Sequence, residues 1–243
     1  MATRNKVDMG KTEMPASKLA GHLIGLLKMV QDDSFDQRHF EALAEGRDPF
    51  AAPKMDAVDV DDRVKWWRAH YQNIYRLNPD FSGFRAPKRQ EGFHRLAVLP
   101  RGFKIRSWVE TVSHIHGLDL HDNDLDAMLA TNDRTSESGA YAVWIRDRQE
   151  ADEELKNLSA LMLAEQKVAG ITLAERLVAG TAHLFETGRH MDVENWTSCT
   201  GSRYSDGDVP YVNWRPGDRE LYVNRHDPGD RDGYLRSRAV VSL

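Results

Sequence analysis

The hydrophobic pattern of the chain changes at Thr200, and this change limits the fold class. Before Thr200, apolar residues recur at helical spacing, most clearly in the segment that begins at Thr172 and ends at Gly188. Thr172 and Glu175 form a T-x-x-E capping box, which marks the start of a helix. After Thr200, short alternating segments separated by Gly, Pro and Asp predict β-strands, the last over residues 235–243. Helices followed by short strands predict an α+β fold.

Composition, charge and cysteine count exclude several classes of protein. With 40% hydrophobic and 29% charged residues, the 243-residue chain is expected to fold. Its net charge of −5, without a basic face, argues against nucleic acid as a partner. The single cysteine, Cys199, excludes an internal disulfide and a cysteine-based zinc cluster.

Targeting features are missing from the sequence. No apolar run approaches the roughly 20 residues that a membrane span needs. The stretch from Met1 to Lys11 lacks the apolar core of a secretory signal. We therefore expect no transmembrane segment and, by default, a cytoplasmic location, while display at the cell surface through another export route stays open. The oligomeric state also stays open.

The hydrophobic pattern and the positions of Gly and Pro divide the chain into three segments. Residues 1–58 are predicted to form a helical appendage and linker, residues 59–138 an N-terminal α/β module, and residues 139–243 a C-terminal domain. The predicted elements before the capping box are helices over Ser17–Val30, Ser34–Ala44 and Asp61–Ile74, a strand over Leu96–Leu99, a helix over Trp108–Ile115, a polar closing segment over Asp122–Ser138, a strand over Tyr141–Ile145 and a helix through Leu155, Leu158 and Met162.

One ionisable cluster outside the C-terminal region contains residue types that bind divalent metals. Its members are His114, His116, Asp119, His121, Asp122 and Asp124. Their spacing fits no helical histidine pair, and an EF-hand loop from Asp122 would need Gly and Glu where Ala127 and Asp133 stand. Surface residues at the boundary between a helix and a loop explain the cluster adequately without a metal. A metal-dependent enzyme with a site over His114–Asp124 is therefore kept only as an alternative.

Motifs for nucleophilic or cofactor chemistry are also missing. The sequence has no G-x-S-x-G elbow, and the histidine nearest to Cys199 is His190. The glycine-rich phosphate-binding motifs G-x-G-x-x-G and G-x-x-x-x-G-K-[ST] are both absent. The acidic run Glu150–Glu154 is explained by the first turn of a helix, where carboxylates favour the helix dipole. We expect no catalytic residue, no metal and no cofactor, and we predict that the protein is not an enzyme.

The segment Tyr204–Leu235 has an unusual composition. Its 32 residues include six Asp, four Arg, four Tyr and four Gly, and they include no Lys, Gln, Met, Ile or Phe. Tyr offers a large amphipathic contact and small polar residues offer adaptable hydrogen bonds, so recognition surfaces favour such residues. Composition alone leaves two interpretations open, a recognition surface and a loop-rich β region that tolerates polar residues.

A set of short motifs resembles the C-type-lectin-fold variable proteins of diversity-generating retroelements, especially those of archaea and candidate bacterial phyla. The resemblance covers residues 62–243. The matching stretches are Asp80–Gly83, Glu91–Phe93, Tyr141–Arg148, Glu150–Leu155, Glu186–Gly188, Gly201–Arg203, Val209–Pro210, Val212, Trp214, Leu221, Val223, Pro228 and Leu235–Val240. It implies a C-terminal C-type-lectin-like domain over residues 139–243, of the subtype found in formylglycine-generating enzymes, with a helical N-terminal extension.

The resemblance also implies how the C-terminal segment varies. In that family an error-prone reverse transcriptase replaces adenines in a template copy, and an AAC codon altered at its adenines never encodes Lys, Gln or Met. The lack of these residues in Tyr204–Leu235 fits this rule, whereas Trp214 and Glu220 must be framework or come from other codons. The motifs E-P-N, Q-P-D and W-N-D, with which lectins of this fold bind sugars through calcium, are absent. The related sulfatase-modifying enzymes of similar fold use a pair of cysteines, which a chain with one cysteine cannot supply.

The resemblance divides residues 203–238 into a framework and displayed residues. Framework side chains, including Val209, Val212, Trp214, Leu221 and Val223, are expected to face the core by alternation. The displayed residues, predicted to bind the ligand, are Tyr204, Ser205, Asp206, Asp208, Tyr211, Asn213, Arg215, Tyr222, Asn224, Arg225, His226, Asp230, Arg231 and Tyr234.

The sequence therefore predicts a receptor-like protein whose hypervariable surface binds an unknown protein or other macromolecule. A lectin-like fold does not by itself imply sugar binding, because function lies in the site. Two alternatives stay open: the metal-dependent enzyme described above, and a protein that docks to a partner or membrane through the helix over residues 17–30.

Overall fold

The computed structural model describes residues 60–243, which lie within one compact unit, Ala52–Leu243. The helices predicted at Ser17–Val30 and Ser34–Ala44, and with them the helical extension, lie outside the described residues. The described part combines helices with several sheets, which confirms an α+β architecture.

The described elements alternate along the chain. The helices are α1 (Val60–Asn73), α2 (Ile105–Val112), α3 (Leu125–Met128), α4 (Ala160–Glu165) and α5 (Leu173–Thr187), with a 3-10 turn at Glu153–Leu155. The strands are β1 (Arg95–Leu99), β2 (Gly117–Leu120), β3 (Leu129–Asn132), β4 (Tyr141–Ile145), β5 (Trp196–Ser198), β6 (Ser202–Tyr204), β7 (Val209–Arg215), β8 (Glu220–His226) and β9 (Leu235–Ser237).

The largest sheet has five strands in the order β2-β8-β7-β5-β9. Strands β7 and β8 form an antiparallel hairpin at its centre, and β2 joins β8 in parallel. Two smaller sheets pair β1 with β4 and β3 with β6. Each of the three sheets therefore contains strands from both sides of the boundary predicted at residue 138, and the two segments share one hydrophobic core.

Several predicted elements are confirmed. Helix α5 begins with the capping box, in which Thr172 and Glu175 each accept a hydrogen bond from the other's backbone N–H, and it ends at Gly188. Gly188 has φ 69°, the left-handed conformation in which a side chain would be strained. The strand over Tyr141–Ile145 and short strands after Thr200 are present as predicted, and two of the latter, β7 and β8, pair as an antiparallel hairpin.

Other predicted boundaries were wrong for local reasons. The helix predicted at Trp108–Ile115 is α2, which starts at Ile105 and ends at Val112. The helix predicted through Leu155 and Met162 is divided, because Ser159 caps a new helix by accepting a hydrogen bond from the Met162 N–H at 3.2 Å. The polar segment Asp122–Ser138 is not merely a closing loop, since α3 and β3 lie within it.

The last strand is also shorter than predicted. Strand β9 ends at Ser237, and the chain then leaves the sheet with isolated bridges at Ala239 and Val241. The Ala239 N–H donates to the buried carboxylate of Asp152 at 2.8 Å, and the Val240 N–H donates to the Ala169 carbonyl at 2.9 Å. These bonds replace the strand pairing that residues 235–243 were expected to continue.

A buried charge network around Asp192 joins helix α5 to the sheet. The Asp192 carboxylate accepts from Arg176 at 2.7 Å, from Arg238 at 2.5 Å and from the Thr197 hydroxyl. The Arg238 guanidinium also donates to the Gln149 carbonyl at 2.8 Å. Burial alone raises the pKa of Asp192, but the two guanidinium groups outweigh it and hold that pKa below its usual value.

No helix within residues 60–243 is both long and apolar enough to cross a membrane.

Candidate functional site

The β7–β8 hairpin separates core side chains from outward ones. Cross-strand pairing places Val212 opposite Val223, and both are fully buried in the core. Their neighbours on the other face are Tyr211, Asn213 and Tyr222, because successive side chains of a strand alternate. We call this surface the tyrosine face, and it consists of Trp196, Ser198, Tyr211, Asn213, Arg215, Tyr222, Asn224 and His226.

Aromatic rings form the centre of the tyrosine face. The Trp196 indole stacks on Tyr211 with 5.0 Å between ring centroids and 9° between planes. Tyr222 meets Tyr211 edge-on at 5.8 Å. Stacking leaves Tyr211 only 8% exposed, and burial together with Tyr222 raises the pKa of Tyr211 to about 12. The Tyr211 ring therefore packs beneath Trp196 and Tyr222 and offers little of its own area to a ligand.

An arginine covers one side of this aromatic cluster. The Arg215 guanidinium carbon lies 3.2 Å from the Tyr222 ring centroid, within cation–π range. Its Nη1 atom donates to Asp119 Oδ2 at 2.9 Å, and Asp119 lies on β2 beside Tyr222. The parallel pairing of β2 with β8 thus brings in a carboxylate that is distant in sequence.

Ser198 and His226 form a hydrogen-bonded pair at the other side. The Ser198 hydroxyl lies 2.8 Å from His226 Nε2, and His226 Nδ1 donates to the Asp227 carbonyl at 2.9 Å. Burial lowers the pKa of His226, and in the neutral ring Nε2 accepts a hydrogen bond from the Ser198 hydroxyl. A serine on an imidazole resembles a nucleophile with its base. However, Ser198 is buried, which withholds its hydroxyl from a substrate.

Asn213 lies in the middle of the tyrosine face with an unmet hydrogen-bonding group. It pairs with Tyr222 across the hairpin and is 6% exposed. Its Oδ1 atom is buried without a hydrogen-bond partner within residues 60–243. An unpaired buried acceptor is costly, so a donor that reached this oxygen after a shift of the surrounding side chains would stabilise the position.

The turn that connects β6 and β7 carries a second group of charged residues. Arg225 forms ion pairs with Asp206 and, at 3.6 Å, with Asp208. The turn closes at Gly207, whose φ of 96° favours glycine. The one guanidinium of Arg225 thus compensates part of the charge of the two carboxylates in this turn.

The loop from Asp227 to Tyr234, here named the acidic loop, follows β8. Its carboxylates order their own backbone, since Asp227 accepts from the Gly229 N–H at 2.7 Å and Asp232 accepts from the Tyr234 N–H at 2.8 Å. Tyr234 is 61% exposed, and its ring leans toward Trp196 at 6.3 Å. The acidic loop therefore extends the aromatic surface into solvent.

The predicted displayed residues differ in accessibility. Ser205, Asp206, Asp230, Arg231 and Tyr234 are exposed, and Asp208, Arg215, Tyr222, Asn224, Arg225 and His226 are half-buried. Tyr204, Tyr211 and Asn213 are buried, so the expectation that these three are displayed was wrong. Tyr204 is 1% exposed because β6 pairs with β3 and directs its ring into the core. Burial also raises the pKa of Tyr204.

The cluster His114–Asp124 is dispersed by the fold. Asp119 binds Arg215, whereas Asp124 caps α3 by accepting from the Ala127 N–H at 3.1 Å. His116 instead meets His190 at 5.2 Å. Within residues 60–243, no group of three His, Cys, Asp or Glu side chains is placed to hold a metal ion. The alternative of a metal site here has no ligand set among these residues.

A small cavity lies beside this histidine pair. Its volume is about 10 Å³, and Trp108, His116, Arg176 and His190 are among its lining residues. Such a space accommodates about one water molecule and no substrate. Burial and the neighbouring His116 lower the pKa of His190 to about 4, so both rings are held in their neutral form near pH 7.

Three residues of the surface were missed by sequence reasoning. Trp196 and Ser198 belong to β5, which has three residues and is too short for an alternation pattern to identify. Asp119 was assigned to the metal cluster, because nothing local indicates that β2 pairs with a strand about 100 residues later. A tryptophan directly before a Thr-Ser-Cys run was the one available indication of a strand.

Comparison of the chain with protein-family models, curated proteins and solved structures finds no match.

Proposed function

We propose that this protein is a non-enzymatic, receptor-like binding protein, and that the tyrosine face with the acidic loop is its ligand-binding surface. The observation that carries the proposal is the division within one hairpin: Val212 and Val223 are buried, whereas Arg215 and Tyr222 on the other face reach solvent. Such a surface can change without altering the core beneath it. The proposal assigns no catalytic residue, metal or cofactor.

The fold proposed for this function is a C-type-lectin-like domain of the formylglycine-generating-enzyme subtype, predicted over residues 139–243 and completed by strands β1, β2 and β3 from residues 95–132. The support is the sequence resemblance together with the central β7–β8 hairpin and the long α5 helix before it. In this proposal the exposed positions between residues 204 and 234 are the ones that a diversity-generating retroelement varies. The ligand is a protein or another macromolecule.

The neighbouring DNA tests the proposed class. We expect a reverse-transcriptase gene near this gene, and a near-copy of the coding segment for residues 203–238 that differs only at adenines. Differences should fall at the codons of exposed residues such as Asp230 and Tyr234 and spare those of Val212 and Val223. A complete neighbourhood with neither element, or with differences spread evenly over core codons, would sink the proposal.

A further inference from the structure

The acidic loop carries charge that the described residues leave uncompensated. Asp227, Asp230 and Asp232 form no ion pair within residues 60–243, and the loop's one guanidinium, Arg231, contacts the Met162 sulfur at 4.0 Å. By contrast, Arg225 pairs with the Asp206 and Asp208 carboxylates of the β6–β7 turn. Negative charge is thus concentrated on one side of the binding surface.

Two aromatic rings lie at the C-terminal end of the acidic loop. Tyr234 is 61% exposed and ends the acidic loop, and Trp196 next to it is half-buried. The face of an aromatic ring attracts a cation, most strongly where desolvation is partial. An exposed ring at the end of a loop that carries three unpaired carboxylates therefore favours an ammonium or guanidinium group over a neutral or anionic one.

Asn213 gives independent support for a ligand rich in donors. Its side-chain Oδ1 atom, in a residue 6% exposed, has no hydrogen-bond partner among residues 60–243. Lysine and arginine side chains carry donors and no acceptors, so they complement both this oxygen and the carboxylates. The outward surface already contains one example of the pairing, since Arg215 lies over Tyr222 and binds Asp119.

We infer that the ligand is a protein whose docking surface presents a Lys or Arg side chain to Tyr234 and Trp196, between the carboxylates of Asp227, Asp230 and Asp232. This inference rests on the proposed function and names the chemistry of its partner. The rings are spread over β5, β7 and β8 and the acidic loop, which is an extended surface suited to a macromolecule. The surplus of carboxylates disfavours a phosphate-bearing partner.

Panning a phage library of random peptides against the purified full-length protein tests the inference. We expect the enriched peptides to contain Lys or Arg, and their Kd to rise about tenfold in a triple variant with Asp227→Asn, Asp230→Asn and Asp232→Asn. Asparagine keeps the oxygen that accepts from Gly229 and Tyr234, so the loop conformation is retained. Added salt should weaken binding to the native protein more than to this variant.

A matched triple variant controls for net charge. Glu91→Gln, Glu110→Gln and Asp133→Asn remove three exposed carboxylates outside residues 204–234, and they should leave the peptide Kd within about twofold. Equal weakening by both triple variants would overturn the inference, because net charge alone would then explain binding. Spermine serves as a second probe, and binding of spermine as tight as that of the peptides would overturn the assignment to a protein partner.

The remaining outcomes separate the inference from the proposed function. Neutral or acidic peptides that lose binding on Tyr222→Ala or Tyr234→Ala but not in the acidic-loop variant would overturn the inference and leave the proposed function standing. If no enriched peptide depends on Tyr222 or Tyr234, both the proposed function and the inference fail.

Discussion

The Asp192 network and the acidic loop use the same residue types in opposite ways. Asp192 is fully buried and both of its oxygens bind guanidinium groups, from Arg176 and Arg238. Three carboxylates of the acidic loop are exposed and form no ion pair within residues 60–243. Residue type therefore does not separate framework from surface in this protein. The two regions differ in the burial of their carboxylates and in whether those carboxylates form ion pairs.

This difference has an energetic consequence. A buried charge that loses its partner is strongly destabilising, because its neighbours remain desolvated without compensation. An exposed carboxylate contributes little to stability, since water replaces any partner it loses. The protein can thus exchange residues of the acidic loop at little cost, whereas the Asp192 network must stay fixed.

The largest predicted effect follows from removing the central carboxylate of the network. Asp192→Asn leaves the two buried guanidinium groups without their anion and should lower the free energy of unfolding by about 3–5 kcal/mol. Urea denaturation measures it. Asp230→Asn, the same change in the acidic loop, should stay within about 0.5 kcal/mol of the native protein. Similar losses in both variants would remove the distinction between the two regions.

Two tyrosines of the binding surface sharpen the comparison. Tyr211→Ala should cost about 2–4 kcal/mol, because Tyr211 is 8% exposed and stacks on Trp196. Tyr234→Ala should cost no more than about 0.5 kcal/mol, since Tyr234 is 61% exposed. Thermal unfolding of both variants measures the difference. A larger loss for Tyr234→Ala would mean that the acidic loop is part of the framework.

Acid should weaken the framework through two buried histidines. Burial and the nearby Arg63 lower the pKa of His70 to about 3, and burial with Arg95 does the same for His183. Because the unfolded chain binds these protons more readily, stability is complete above about pH 6.5 and falls by up to about 1.4 kcal/mol per pH unit per histidine toward pH 3. The urea midpoint should change less steeply with pH in His183→Gln than in the native protein. The same slope in both proteins would contradict the role assigned to His183.

Local patterns predicted the parts of the fold that short-range chemistry determines. The capping box Thr172–Glu175 and the alternation around Val212 and Val223 are visible in the sequence, and both are present in the structure. The limits of α2 and α4 were not predicted, because Lys104 forms no side-chain cap to mark the start of α2, and Ser159 divides one apolar stripe.

The binding surface was harder to predict than the hairpin that carries it. Alternation distinguishes the two faces of a strand, but it cannot show that Trp196 buries Tyr211 or that β3 turns Tyr204 into the core. Those outcomes depend on pairings between distant strands. The charge network was invisible for the same reason, since Asp192 and Arg238 are 46 residues apart in the chain.

The most direct test of the account compares two libraries presented on the cell surface and challenged with protease. One randomises five exposed residues, Ser205, Asp206, Asp230, Arg231 and Tyr234, and the other randomises five buried residues, Thr197, Val212, Leu221, Val223 and Arg238. We predict that most members of the exposed library remain folded and protease-resistant, and that few members of the buried library do. Equal survival of the two libraries, or collapse of the exposed one, would contradict the account.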